Sequence, residues 1–167
     1  FANPLGLAQW VNETHLGRYE LRGGGNFNRG WPDLAERVAA KVEGKLVADA
    51  AANVATIRAA ILDTLSEGKP RKELDLLKLV LARESATADL VLDLHCDDDS
   101  LLHLFLIPQH WPEASDIAAE FGMPAVLLAE DSGGGAFDEF NSTLWVKLAR
   151  RFPEHPIPPA CVAATVE

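Results

Sequence analysis

Asp89-Leu90-Val91-Leu92-Asp93-Leu94-His95 runs directly into Cys96-Asp97-Asp98-Asp99. In an extended segment Val91, Asp93 and His95 point to one side and Leu90, Leu92 and Leu94 to the other. An apolar strand therefore delivers an imidazole and a carboxylate together at its end. Open α/β sheets place their ligand sites at the carboxyl ends of strands, and polar groups carried there need partners if they are to be buried. A lone histidine at a strand end reads more readily as a satisfied structural residue, so any other meaning depends on the rest of the chain.

Working outward, residues 3–30 are rich in glycine and polar side chains without a sustained period, which predicts mainly loop. Trp31-Pro32-Asp33 predicts the opening of a helix, with proline in its first turn and Leu34, Val38 and Val42 along one face. Residues 48–65 and 72–84 predict two further helices, the second with Leu74, Leu77, Val80 and Leu81 as its apolar side. After the strand to His95, residues 103–107 predict a short strand and 112–121 a helix stopped by Gly122. The apolar run 124–129 predicts a buried strand. Residues 138–152 predict a helix with Phe140, Leu144 and Leu148 at four-residue spacing, and a proline-rich linker, 153–159, leads into a last strand. Strands alternating with helices imply an α/β fold whose sheet is covered on both faces.

The 167 residues suit one domain, and 48% hydrophobic with 24% charged residues is ordinary globular composition. A net charge of -10 argues against a nucleic-acid groove or an anionic membrane surface as the main partner. The two cysteines, Cys96 and Cys161, form no Cys-x-x-Cys pair. No apolar run approaches the roughly 20 residues of a membrane span, and the first residues lack the order of a secretory signal. A cytoplasmic protein is expected.

Several residues carry candidate chemistry. Gly23-Gly24-Gly25 could cradle phosphate, yet no Lys-Ser/Thr ending follows, so the signal is weak. Asn28-Arg29 just beyond it says more, because a guanidinium beside an amide can grip a carboxylate. Arg18 and Arg22 add cations upstream; the alternative for all three arginines is a solvated or surface-paired role. If the last segment is a strand, Cys161, Ala163, Thr165 and Glu167 share a face, and a second carboxylate reaches a strand end. His103 is placed to approach the site across a neighbouring strand. Asp97, Asp98 and Asp99 could hold a hard cation or form a solvated face, and Cys96 has no spaced partner to support a thiolate role. His110 and His155 fall in loops and receive no role.

Asn3-Pro4-Leu5-Gly6, Gly17-Arg18-Tyr19, Asn26-Phe27-Asn28-Arg29, Asp93-Leu94-His95 and Ala164-Thr165-Val166-Glu167 occur in one order. Together they resemble the succinylglutamate desuccinylase/aspartoacylase family, a branch of the zinc carboxypeptidase-like hydrolases, and Gly133-Gly134-Gly135-Ala136-Phe137-Asp138-Glu139 looks like a loop of some members. The resemblance implies a three-layer α/β/α domain with a mostly parallel mixed sheet. It also implies zinc held in part by His95, a substrate carboxylate clamped by Asn28 and Arg29, and Glu167 as general acid/base. Arg18, with Arg22 as the alternative, matches the arginine that polarises the scissile carbonyl. The implied reaction is zinc-dependent hydrolysis of the amide of an N-acyl amino acid or a similar small carboxylate-bearing substrate, with Glu167 taking and returning a proton.

One departure stands out. The family's other two zinc ligands form a His-x-x-Glu pair upstream of the Asn-Pro segment, and here His15 lies in Asn12-Glu13-Thr14-His15, with the glutamate on the wrong side. Residues 1–167 thus read as the central part of a catalytic domain continuing on both sides, a piece expected to bind zinc poorly and to be inactive alone. Two other classes stay open: a non-catalytic module that keeps the carboxylate clamp, and a phosphate-binding domain built on Gly23 to Gly25.

Overall fold

The computed structural model describes residues 2–11, 13–15, 17–96 and 99–167. Asp97 and Asp98, and with them the reading of the acidic run, lie outside the described residues. A short helix, Pro4–Leu7 (α1), precedes the two-residue strands Trp10–Val11 (β1), Thr14–His15 (β2), Tyr19–Glu20 (β3) and Gly25–Asn26 (β4). They pair antiparallel as β1 with β2 and β3 with β4, so the expected loop region is pinned by two small hairpins. Next come Ala35–Val42 (α2), Ala50–Ser66 (α3), Glu73–Ser85 (α4) and Leu90–Leu94 (β5). His103–Leu106 (β6), Ser115–Glu120 (α5), Ala125–Leu128 (β7), Phe137–Arg151 (α6) and Val162–Val166 (β8) complete the order.

The main sheet runs β5-β8-β6-β7. β5 lies parallel to β8 and β6 parallel to β7, while β6 and β8 are antiparallel, which makes the sheet mixed. Alternation along the strands sorts their side chains onto two cores. Val91, Cys161 and Ala163 pack with α2, α3, α4 and α6 around Ile57, Leu144 and Leu148. On the opposite face Leu92, Ala164 and Val166 meet Leu104, Leu106, Ala114 just before α5 and Ala118 within it. Helices therefore cover both faces, giving the three-layer α/β/α arrangement. Burying a side chain such as Ile57 or Leu148 contributes about 1.5–3 kcal/mol.

Polar side chains of α3 lock the strand starts. Arg58 of α3 donates to Ala88 O (3.2 Å), Asp89 Oδ1 (2.7 Å) and Ala160 O (3.0 Å), joining the entries to β5 and β8. Asn53, fully buried, donates to Val47 O and Pro156 O and accepts from Val47 N. Both act as clips between the helical layer and the proline-rich linker.

Four expectations are corrected. The helix expected from Trp31 starts at Ala35, because Gly30 N and Trp31 N donate to Gly134 O (2.7 Å) and Gly135 O (3.2 Å) and hold that stretch extended. Asp33 Oδ1 then accepts from Ala35 N at 2.9 Å and sets the new start. The helix expected over 112–121 is confined to Ser115–Glu120, since the bonds of Ala114 N to His110 O and Ser115 N to Pro112 O belong to turns. β7, expected to be buried, is a sheet edge with Leu127 and Leu128 each 44% exposed. Val80 faces solvent, and α4 buries Leu74, Ala82 and Ser85 instead.

Among the described residues no helix is long and apolar enough to cross a membrane.

Candidate active site

The ends of β5 and β8 and the start of β6 lie side by side. His95 N donates to Val166 O (2.9 Å), His103 N to Glu167 O (2.7 Å), and Glu167 N to His103 O (3.0 Å). Backbone pairing thus sets His95, Glu167 and His103 in one row across three strands, on the face that carries Asp93 and Thr165. Glu167 Oε1 stands 3.3 Å from His95 Nδ1 and its Oε2 stands 3.1 Å from His103 Nε2.

His95 is held on its other nitrogen. Nε2 lies 3.0 Å from Asp93 Oδ2, and Asn28 Nδ2 donates to the same oxygen at 2.7 Å while lying 2.9 Å from Nε2. The hydrogen bond to Asp93 raises the His95 pKa against the opposing effect of burial, with Glu167 adding to the rise. Asn28 Oδ1 accepts from Phe137 N at 2.8 Å. An N–H only donates, so this bond fixes the amide with its nitrogen toward Asp93.

The loop bearing Asn28 and Arg29 is clamped by two other elements. Lys78 of α4 donates to Arg29 O and sits 5.8 Å from the centroid of the Trp31 ring. From the α6 side, Gly134 and Gly135 accept from Gly30 and Trp31 with φ of +86° and +63°, values that L side chains rarely adopt. Arg29 Nη1 donates to Asn28 O at 2.7 Å, and no carboxylate among the described residues pairs with its half-buried guanidinium.

Not every expected residue joins the cluster. Arg18 is exposed, and its carbonyl accepts from Phe27 N at 3.1 Å in the β3–β4 hairpin. Arg22 is exposed and paired with Glu73 of α4 at 2.9 Å. The run Gly23 to Gly25 is a hairpin turn in which Gly24 N donates to Glu20 Oε2 at 2.8 Å, so a carboxylate already occupies the amide a phosphate would need. Of His15, on β2, only the backbone is described.

Asp138 went unassigned in the sequence. It lies in the first turn of α6, 8% exposed, and burial together with the negative Glu139 and Asp93 pushes its carboxyl up to about 6. The Gly133 to Glu139 stretch pointed to this loop, but only the approach of α6 to β5 shows that Asp138 feels Asp93.

A carboxylate on one imidazole nitrogen with the other left open is how metal-bound histidines are commonly oriented. Asp93 on Nε2 leaves Nδ1 of His95 as the nitrogen that would bind a zinc ion, and its present neighbour there is Glu167 Oε1 at 3.3 Å. The remaining acids and imidazoles are engaged with one another. Among the described residues no three His, Cys, Asp or Glu side chains form a group that could hold a metal ion.

A mixed α/β sheet with polar side chains gathered at strand ends defines the class: an α/β domain with a strand-end site. No family model matches the chain, and no curated protein does. Solved structures share its fold, among them two from Shewanella. One, a succinylglutamate desuccinylase/aspartoacylase family protein of Shewanella amazonensis SB2B, superposes with a TM-score of 0.84 at 29% identity, over 99% of this chain and 46% of its own. The other, a succinylglutamate desuccinylase/aspartoacylase of Shewanella frigidimarina NCIMB 400, gives 0.80 at 27% identity, over 99% and 45%. Both carry that name by assignment alone. The chain has the fold of the succinylglutamate desuccinylase/aspartoacylase family, as its motifs implied, and spans less than half the length of either structure.

Proposed function

We propose that this chain forms part of the active site of a zinc-dependent hydrolase that cleaves the amide bond of an N-acyl amino acid or a similar small carboxylate-bearing substrate. One observation carries the reading: His95 stands between Asp93 on Nε2 and Glu167 on Nδ1, at 3.0 and 3.3 Å. That is a ligand with its orienting carboxylate on one side and a candidate base on the other. When bound, zinc supplies a Lewis acid that polarises a carbonyl and acidifies water.

The protein's own groups do the rest. His95 Nδ1 offers one ligand position, and Asp93 with Asn28 fixes the ring that carries it. Glu167 Oε1 accepts a proton from the attacking water and returns it to the leaving nitrogen. Arg29, without an acidic partner among the described residues, receives the substrate carboxylate, with Asn28 behind it. Arg18 is the candidate for polarising the scissile carbonyl, and it must swing in from its exposed position to do so.

The test is metal analysis and amide hydrolysis by the full-length protein. About one zinc per chain is expected, and His95→Ala should lose both metal and hydrolysis. Full activity in that variant sinks the reading. Zinc-free protein that still binds small carboxylates through Arg29 would support the non-catalytic module instead.

A further inference from the structure

Glu167 is gripped from two sides, and only one grip involves His95. On the far side His103 opens β6, and the paired backbone bonds between His103 and Glu167, at 2.7 and 3.0 Å, hold the two residues directly opposite. Side chains of such a pair leave the same face of the sheet next to each other. His103 Nε2 reaches Glu167 Oε2 at 3.1 Å, with 17% of each side chain exposed. The ring stands edge-on to Phe105, centroids 4.9 Å apart.

The other nitrogen is held as well. His103 Nδ1 lies 2.7 Å from Leu101 O, and Ser100 Oγ lies 3.1 Å from Nδ1 while donating to the same carbonyl at 3.0 Å. A carboxylate oxygen accepts, so Nε2 carries the proton in its contact with Glu167. Among the described residues Glu167 is the one carboxylate in contact with that ring.

We propose that His103 is a positioning residue of the hydrolytic site, holding Glu167 Oε2 through an Nε2–H hydrogen bond so that Oε1 stays turned toward His95 and the scissile amide. The inference rests on Glu167 being the acid/base of the proposed function. The hydrogen bond occupies Oε2 and leaves Oε1 as the single oxygen free to accept a proton. The proton taken at Oε1 goes on to the leaving amine, while the proton on His103 Nε2 stays where it is throughout.

The experiment compares His103→Leu and His103→Gln in the full-length protein. Leu removes the donor, and Gln places an amide N–H near the position of Nε2. The expected result for His103→Leu is a roughly 10–100-fold fall in kcat, the range seen when groups supporting a site are removed. KM and zinc content should be unchanged. His103→Gln should recover most of the rate. A His103→Leu enzyme with the parent's kcat overturns the proposal. A second readout needs no substrate: ring nitrogen resonances of His103 should show a proton on Nε2, and a ring without a proton on Nε2 overturns the proposal. Should the protein hydrolyse no N-acyl amino acid, the proposed function fails and the ring resonances alone decide for His103.

Discussion

Asn28 donates its side-chain amide to the Asp93 carboxylate over 2.7 Å, across 65 positions of sequence. Its oxygen is taken by Phe137 N at 2.8 Å, so the side chain ties the loop before α2 to both β5 and α6. Replacing Asn28 with Ala removes both bonds and strands a helix N–H and a carboxylate acceptor. The expected cost is about 1–3 kcal/mol, read as a lower denaturant midpoint at unchanged m-value. A side chain held in reserve for a ligand would cost nothing, and an unchanged midpoint would make Asn28 a free clamp residue.

The contrast between Asn28 and His95 shows what the sequence could reveal. A period of two puts Val91, Asp93 and His95 on one face whatever the strand pairs with, and the same holds for Cys161 to Glu167. Backbone geometry alone thus made the strand-end row legible. Asn28 was legible as a polar residue beside an arginine, but its partners lie 65 and 109 positions away and no local period encodes them. Position within the sheet was equally hidden: residues 125–128 read as a buried run, yet β7 lies at an edge. The late start of α2 follows from a backbone ladder to Gly134 and Gly135, which helix propensity cannot register.

Asp138 should make stability depend on pH. Folding raises its pKa from 3.8 to about 6, so between those values the native state holds more protons than the unfolded chain. Its contribution is fully present below 3.8 and is lost as pH rises to about 6, a change of up to about 3 kcal/mol. Asp138→Asn removes the charge at nearly constant shape. Denaturant unfolding across this window should show a flatter profile for the variant and a higher midpoint above it. Superimposable profiles would mean that the carboxyl is not destabilised by burial.

Gly135 should resist substitution more than its place in a glycine-rich loop suggests. Its φ is +63°, and a Cβ there would stand 3.2 Å from Trp31 O, part of the stretch that follows Asn28 and Arg29. Gly135→Ala combines backbone strain with a tight contact to main chain, for an expected loss of about 1–3 kcal/mol. Gly44→Ala is the control, because its φ of +70° brings a similar backbone penalty with nothing near the added methyl. Thermal unfolding of the pair separates the two effects, and equal losses would remove the steric part of the argument.

His110 works in the opposite sense to Asp138. It is 2% exposed, neither ring nitrogen has a protein partner, and burial lowers its pKa although Glu113 pulls the other way. As pH falls through its ordinary 6.5, the unfolded chain takes up a proton that the buried ring resists. Stability present above 6.5 is therefore lost on acidification toward the depressed native value. His110→Leu deletes both the titration and the unpartnered nitrogens at similar volume. The variant should match or exceed the parent near neutral pH, since an unpaired buried polar group costs about 1–3 kcal/mol. Its advantage should widen as pH drops, which chemical denaturation at a series of pH values measures directly. A constant difference would show that the imidazole is protonated alike in the folded and unfolded chains.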